Sequence, residues 1–287
     1  MKYRSLAVYS LLGVLSFSGA VFSQPETPET PETPAMPAMP DEPAAFRHET
    51  IVVIDADGDT HDYAYSVWRS PALEEGEAAP AIVFLHGYGE CGTDGEKQLH
   101  VGLPPQLVAN PERWPFVVLI PQKPVYNSEW EDHDAAVSAM MTKEFERESV
   151  DPDRVVITGL SQGGHGTLAM ATLHPDGFRA VAPVCGYIDR WNNDGEKVRA
   201  GTLPDSPTLA ATVEALHGHP VWIFHGGRDD VVNPGESRLL HGALRDAGGK
   251  AVKLTVFPDD NHNSWDSAYG LPEFAAWLVE HTAEWDD

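Results

Sequence analysis

The chain has 287 residues, 42% of them hydrophobic, which is enough for a substantial buried core in one large or two small domains. It carries 44 acidic and 19 basic residues, a formal net charge of −25 at pH 7. A polyanion of this size repels phosphate backbones and anionic lipids, so the charge disfavours nucleic acid and charged membrane surfaces as partners.

Residues 1–23 have the pattern of a signal peptide. Lys2 and Arg4 precede an apolar stretch over 5–20, and Ser23 ends a candidate cleavage site. The alternative is an N-terminal membrane anchor, but the apolar stretch is shorter than the roughly 20 residues that a spanning helix needs. We therefore expect a secreted or periplasmic protein with no stable membrane insertion after cleavage.

A linker rich in Pro, Glu and Thr follows over 24–46. It repeats P-E-T and then P-A-M triplets, with Pro at nearly every third position. Such a segment lacks the apolar content to fold and favours extended, semi-rigid geometry. The pattern predicts a spacer, with one folded catalytic domain over 47–287.

Short apolar runs alternate with helical patterns through this domain. The runs that predict strands are 51–55, 63–68, 81–85, 116–120, 154–159, 180–185, 221–224 and 252–257. The 3.6-residue periodicity predicts helices over 131–148, 163–174, 235–246 and 271–281. A hairpin followed by this alternation predicts an α/β fold, with a mostly parallel, twisted sheet and helices on both faces. Only about 35 residues separate the strands at 180–185 and 221–224, which predicts that there is no large cap domain.

The pentapeptide Gly159-Leu160-Ser161-Gln162-Gly163 lies between a predicted strand and a predicted helix. In this context G-x-S-x-G is typical of a sharp turn that exposes a nucleophilic serine above the sheet. An ordinary glycine-rich turn with a capping serine is the alternative. The context favours Ser161 as a nucleophile.

A serine hydroxyl needs a base and an acid that orients the base. Asp229 and its neighbour Asp230 follow the strand at 221–224, and His262 follows the last strand. The chain order Ser, Asp, His and these strand-end positions predict a triad of Ser161, Asp229 and His262. Asp230 remains a rival for the acidic position.

Two backbone N–H groups are expected to stabilise the oxyanion of the tetrahedral intermediate. One is that of Gln162, directly after the nucleophile, and the other is that of Tyr88, in the loop after the strand at 81–85. His86 in the same loop is expected to brace it. The predicted mechanism needs no metal and no cofactor.

The two cysteines, Cys91 and Cys185, either pair in an oxidising compartment or remain separate thiols. A count of two does not decide between these alternatives, because it fixes no geometry.

The segments 85–99, 151–186 and 261–270 together resemble the α/β-hydrolase superfamily. They are similar to its extracellular esterases and predicted peptidases, which are grouped with phospholipase/carboxylesterase and feruloyl- or acetylxylan-esterase-like proteins. The resemblance spans roughly residues 50 to 285 and implies the α/β-hydrolase fold and the same triad. Two positions depart from the pattern: Cys91 replaces a frequent Arg, and Gln162 is more typical of small carboxylesterases and acyl-protein thioesterases.

We therefore predict an exported serine carboxylic-ester hydrolase that works through an acyl-enzyme. Its substrate is expected to be a small-molecule or polysaccharide-linked ester, with feruloyl and acetyl esters of plant polymers as candidates. Trp130 and Trp265 are candidate substrate-binding residues, since aromatic side chains lie near the predicted site. A serine peptidase of the same fold and a non-catalytic binding protein are the alternatives, and the sequence leaves the oligomeric state open.

Overall fold

The computed structural model describes residues 46–54, 58–191 and 201–283. The predicted signal peptide and all but Phe46 of the predicted linker lie outside these residues, so both remain predictions. None of the helices in the described part of the chain has the length and apolar character needed to cross a membrane.

The strands of the described residues form one eight-stranded sheet. In chain order they are β1 (Arg47–Ile54), β2 (Thr60–Arg69), β3 (Ala79–Leu85), β4 (Val117–Pro121), β5 (Val150–Leu160), β6 (Ala180–Val184), β7 (Val221–Gly226) and β8 (Val252–Phe257). Across the sheet the order is β1-β2-β4-β3-β5-β6-β7-β8. The β1–β2 and β2–β4 pairs are antiparallel and the other pairs are parallel.

Burial of the strands follows their position in the sheet. Every residue of β3, β4 and β6 is buried, as expected for strands covered by helices on both faces. Strand β1 instead alternates between exposed and half-buried residues, because it lies at the edge of the sheet. The predicted hairpin and the six parallel strands are confirmed.

Seven α-helices lie in the described part of the chain. They are α1 (Leu103–Ala109), α2 (Asp134–Arg147), α3 (Gln162–Leu173), α4 (Pro207–Leu216), α5 (Gly235–Asp246), α6 (Trp265–Gly270) and α7 (Pro272–Thr282). Two apolar cores cover the two faces of the sheet. Helices α2 to α5 contribute to one core, and α1, α6 and α7 contribute to the other. The predicted α/β architecture is confirmed.

Two local differences from the predicted helices have physical causes. Residues 131–133 belong to a 3₁₀ turn before α2, because Glu129 and Asp132 each cap the other's backbone there. Helix α4 was not predicted, although Ser206 accepts a hydrogen bond from Leu209 N and Pro207 occupies its first turn. The described part of the β6–β7 connection contains this one ten-residue helix.

The carboxyl ends of the parallel strands share one edge of the sheet. The loops after β3, β5, β7 and β8 therefore meet there. The predicted nucleophile, acid and base and Tyr88 belong to these loops, and Gln162 begins the helix that follows β5.

Candidate active site

Ser161 occupies a sharp turn between β5 and α3. Its backbone has φ 54° and ψ −115°, a strained conformation for a residue with a side chain. The turn depends on glycine, since a Cβ on Gly163 would lie 2.0 Å from Leu85 O and one on Gly159 would lie 2.4 Å from Gly163 O. This geometry matches the strand–turn–helix that the pentapeptide predicts.

The structure brings the three predicted triad side chains together from three strand ends. His262 Nε2 lies 2.9 Å from Ser161 Oγ, and His262 Nδ1 lies 2.8 Å from Asp229 Oδ2. An ionised carboxylate can only accept a hydrogen bond, so Nδ1–H donates to Asp229 and Nε2 is free to accept the serine proton. The arrangement can therefore activate the serine hydroxyl.

Asp229 is held from both sides of its carboxylate. Oδ1 accepts the backbone N–H groups of Val231 and Val232, each at 2.9 Å. Burial alone would raise the pKa of Asp229, but hydrogen bonds from His225 and His262 outweigh it and lower the pKa below its ordinary value. Asp230, its rival in the sequence, is exposed. The contact with the imidazole belongs to Asp229.

The two predicted oxyanion donors flank the nucleophile. Gln162 is the first residue of α3, where backbone N–H groups have no partner within the helix. Tyr88 follows Gly87, and a Cβ on Gly87 would lie only 3.4 Å from Ser161 Cβ. The loop after β3 therefore packs directly against the serine turn.

His86 is fully buried beneath this loop, as expected for a bracing residue. Its Nε2 accepts the backbone N–H of Lys123 at 2.9 Å, and its Nδ1 lies 2.6 Å from Gly87 O. Burial lowers the pKa of His86 to about 3. The imidazole is therefore neutral at pH 7.

The two tryptophan candidates differ in their surroundings. Trp130 is 1% exposed, donates Nε1–H to His86 O and packs against Gly166. It has no free surface for a substrate, so its assignment to substrate binding is wrong. Trp265 is half-buried and its ring meets His262 edge to face, at 5.4 Å between centroids. Its role in substrate binding remains a proposal.

A cavity of about 100 Å³ opens beside the oxyanion residues. It is lined by Tyr88, Tyr126, Asn127, Ser128, Glu129, Gln162 and Trp191. The rings of Tyr126 and Trp191 lie 5.0 and 5.9 Å from that of Tyr88. No sequence pattern indicates Tyr126 or Trp191, because both lie in irregular loops.

Two polar atoms beside this cavity are buried without hydrogen-bond partners among the described residues. They are the acceptor Gln162 Oε1 and the donor Trp191 Nε1. Gln162 Nε2 donates to Ser128 O at 3.0 Å, which fixes the orientation of the amide.

Lys123 organises the segment that forms one wall of the cavity. Its buried ammonium donates to the backbone oxygens of Val125 at 2.6 Å and Ser128 at 2.8 Å. Burial lowers the pKa of Lys123.

Cys91, near Lys123, and Cys185 are both buried free thiols, so the structure has separate cysteines.

Comparison with known proteins finds this chain similar to esterases and peptidases. The model of the prolyl oligopeptidase family matches residues 125–284. Esterase LipQ of Mycobacterium tuberculosis is 27% identical over 231 residues, covering 68% of this chain and 53% of the relative. A probable dipeptidyl-aminopeptidase B of Colletotrichum graminicola is 34% identical over 149 residues, covering 46% of this chain and 15% of the relative. The chain thus spans about half the length of the first relative and a small part of the second.

Two solved structures share the fold. A thermostable esterase has a TM-score of 0.62 at 28% identity, over 81% of this chain and 62% of that chain. A ferulic acid esterase has a TM-score of 0.55 at 16% identity, over 82% of this chain and 99% of that chain. The expected α/β-hydrolase fold and the expected resemblance to esterases and peptidases are confirmed.

Proposed function

This chain belongs to the prolyl oligopeptidase family, and on that premise we propose that it is a serine hydrolase that cleaves carboxylic esters through an acyl-enzyme on Ser161. The observation that carries the proposal is the pair of hydrogen-bond distances around His262, 2.9 Å to Ser161 Oγ and 2.8 Å to Asp229 Oδ2. These are the contacts that a serine nucleophile needs from its base and that the base needs from its orienting acid.

The proposed reaction has two acyl-transfer steps. His262 Nε2 takes the Ser161 proton as Oγ attacks the ester carbonyl carbon, and the Tyr88 and Gln162 amides stabilise the oxyanion. The intermediate collapses, the bond to the alcohol oxygen breaks, and the alcohol leaves with the proton from His262. Water then attacks the acyl-enzyme by the same route and releases the acid. Asp229 keeps the imidazole in the required tautomer and stabilises its cation.

The cavity beside Tyr88 supports an aromatic acyl group as the specific substrate. Three aromatic rings can pack against a phenyl ring there, and the polar residues Asn127, Ser128 and Gln162 line the same cavity. A ferulic acid esterase among the structures of the same fold is consistent with this choice. We therefore propose hydroxycinnamoyl esters, such as feruloyl groups on plant polysaccharides, ahead of acetyl esters.

The second candidate function is a serine peptidase. It is favoured by the family match and by the dipeptidyl-aminopeptidase relatives. The same triad would attack a peptide carbonyl, so only a comparison of substrates separates the two. We expect catalytic efficiency (kcat/KM) to be much higher for feruloyl and short acyl esters than for peptide p-nitroanilides. The reverse order would replace the esterase proposal with the peptidase.

The central test is Ser161→Ala. We expect ester hydrolysis to fall by several orders of magnitude, and labelling by a fluorophosphonate to disappear, because the nucleophilic oxygen is gone. Ser264→Ala is the matched control, since Ser264 is a buried serine near the same edge whose hydroxyl has no role in the proposed steps. Near-normal activity in Ser161→Ala would overturn the assignment.

A further inference from the structure

A thiol lies against the proposed triad and takes no part in the proposed reaction. The ligand atoms of Cys185, Asp229 and His262 all lie within 4.8 Å of one another. Cys185 follows β6 directly, and its neighbour Val184 accepts the Ser161 N–H at 2.9 Å, which holds this strand end against the nucleophile. A sulfur, a carboxylate oxygen and an imidazole nitrogen therefore converge at one point.

We propose that Cys185, Asp229 and His262 form an inhibitory binding site for a thiophilic divalent cation, with Zn²⁺ as the best match. The proposal rests on the proposed function, because His262 must be the catalytic base for the bound ion to inhibit. Three protein ligands of the Cys, His and Asp types, with an open fourth position, are a typical zinc set. The ion acts as an inhibitor and is not a cofactor of the reaction.

The geometry is close to what the ion requires. Tetrahedral Zn²⁺ holds sulfur at about 2.3 Å and nitrogen or oxygen at about 2.0 Å, so its ligand atoms lie roughly 3.5 Å apart. The separations here are at most 4.8 Å, and His262 Nδ1 lies 2.8 Å from Asp229 Oδ2, so an ion would part these two groups and draw the sulfur closer to both. Its imidazole is 18% exposed, whereas the Asp229 side chain is fully buried, so an ion would enter past the histidine.

A buried hydroxyl lies next to the thiol. Ser264 is fully buried. It lies beside Cys185, where a serine hydroxyl can donate to a sulfur anion. A thiol binds the ion as a thiolate, so binding at Cys185 would release one proton.

Binding would remove the base from the reaction through either imidazole nitrogen. An ion on Nε2 occupies the lone pair that accepts the Ser161 proton. An ion on Nδ1 moves the single proton of the neutral ring to Nε2, so that nitrogen can no longer accept. In both cases the S–H bond of Cys185 breaks, a sulfur–metal bond forms, and one proton passes to solvent. No electron is transferred.

The experiment titrates the full chain with Zn²⁺ in a buffer free of chelators and thiols, with ester hydrolysis as the first readout. We expect inhibition that EDTA reverses. Cys185→Ala should keep its basal activity and lose Zn²⁺ sensitivity by more than about tenfold, since even outer-shell partners of a metal account for that much affinity. Cys91→Ala is the matched control, a second buried free thiol that should leave inhibition unchanged. Equal inhibition of the wild type and Cys185→Ala, or none in the wild type, would overturn the proposal.

A spectroscopic readout separates this proposal from the proposed function. Co²⁺ in place of Zn²⁺ should produce a thiolate-to-cobalt charge-transfer absorption in the wild type and in Ser161→Ala, and none in Cys185→Ala. Absence of the band in the folded wild type refutes the metal site, whatever the activity. Absence of ester hydrolysis and of fluorophosphonate labelling refutes the proposed function, and the band then still tests the metal site.

Discussion

Asp229 and Asp230 show how two neighbouring identical residues acquire different properties from their contacts. The side chain of Asp229 is fully buried and bonded to His262, His225 and two backbone N–H groups, whereas Asp230 is exposed. The sequence placed both residues after the same strand. Only the direction of each side chain distinguishes the partner of the imidazole from a solvated carboxylate.

The first prediction uses this pair. Asp229→Asn should lower kcat for ester hydrolysis by about 10⁴-fold, because an amide no longer holds Nδ1–H and the imidazole takes the wrong tautomer. Asp230→Asn is the matched control and should stay within about twofold of the wild type. Steady-state kinetics on one ester would check both variants, and similar rates for the two would contradict the assignment of Asp229.

His86 illustrates the cost of burying a titratable group. The folded protein keeps it neutral down to about pH 3, where burial has lowered its pKa, whereas an unfolded histidine takes up a proton below about pH 6.5. The unfolded state therefore binds more protons as the pH falls from about 6.5 toward 3. The contribution of His86 to the free energy of unfolding is therefore fully present above about pH 6.5 and is lost as the pH falls from 6.5 toward 3.

The second prediction concerns the fall in the free energy of unfolding as the pH decreases. Between about pH 7.5 and pH 5.5, His86 should lower the free energy of unfolding by about 1.4 kcal/mol. Urea unfolding at the two pH values should show that His86→Gln loses less free energy of unfolding than the wild type does, by this amount. His217→Gln, at an exposed histidine, serves as the control and should keep the wild-type loss. If His86→Gln lost as much free energy of unfolding as the wild type, the neutral His86 would not be the cause.

At the scale of elements, α2 is attached to the antiparallel edge of the sheet through a polar network with a buried carboxylate at its centre. Glu144 is fully buried and accepts hydrogen bonds from Arg47 at 2.5 Å and from Tyr65 OH at 2.6 Å. These contacts join α2 to β1 and to β2. Arg47 also donates to Glu49 and Glu148, and the Tyr65 hydroxyl also accepts from Lys143, so each donor keeps a second partner.

The third prediction concerns the removal of this carboxylate by substitution. Glu144→Ala should lower the free energy of unfolding by about 2 kcal/mol, because Arg47 and the Tyr65 hydroxyl each lose a hydrogen bond to a charged acceptor. Glu146→Ala on the exposed face of the same helix should change it by less than about 0.5 kcal/mol. Urea unfolding monitored by circular dichroism checks both, and equal midpoints would show that the network does not hold the helix.

The predicted elements differ in how well their local pattern matched their environment. Strands such as β3 and β4 are apolar because both of their faces are covered, so composition alone identified them. Helix α1 escaped prediction because it is seven residues long and two of them are prolines. Helix α6 is shorter still. Such short helices depend on tertiary packing, which a local pattern does not report.

For the whole molecule, the dominant global property is the excess of acidic residues. A net charge of −25 repels itself in the compact state more than in an expanded chain. Salt screens this repulsion over a Debye length that falls from about 30 Å at 0.01 M to about 3 Å at 1 M. Stability should therefore depend on ionic strength.

The fourth prediction is that Tm at pH 7 rises as NaCl increases over about 0.01 to 1 M. Differential scanning calorimetry measures it, and the same series near pH 5, where carboxylates begin to take up protons, should show a smaller rise. A Tm that stays constant or falls with salt at pH 7 would mean that local ion pairs, such as those of Arg47, outweigh the net charge.

The sequence alone determined the α/β architecture, the serine turn and the chain order of the predicted triad, because each depends on local pattern: apolar runs, glycine positions and strand-end residues. The tertiary structure distinguished Asp229 from Asp230, buried Trp130 in the core, and assembled the cavity around Tyr126 and Trp191. It also brought Cys185 to the triad. These features depend on which side chains meet across loops far apart in the chain, and spacing along the sequence carries no information about that.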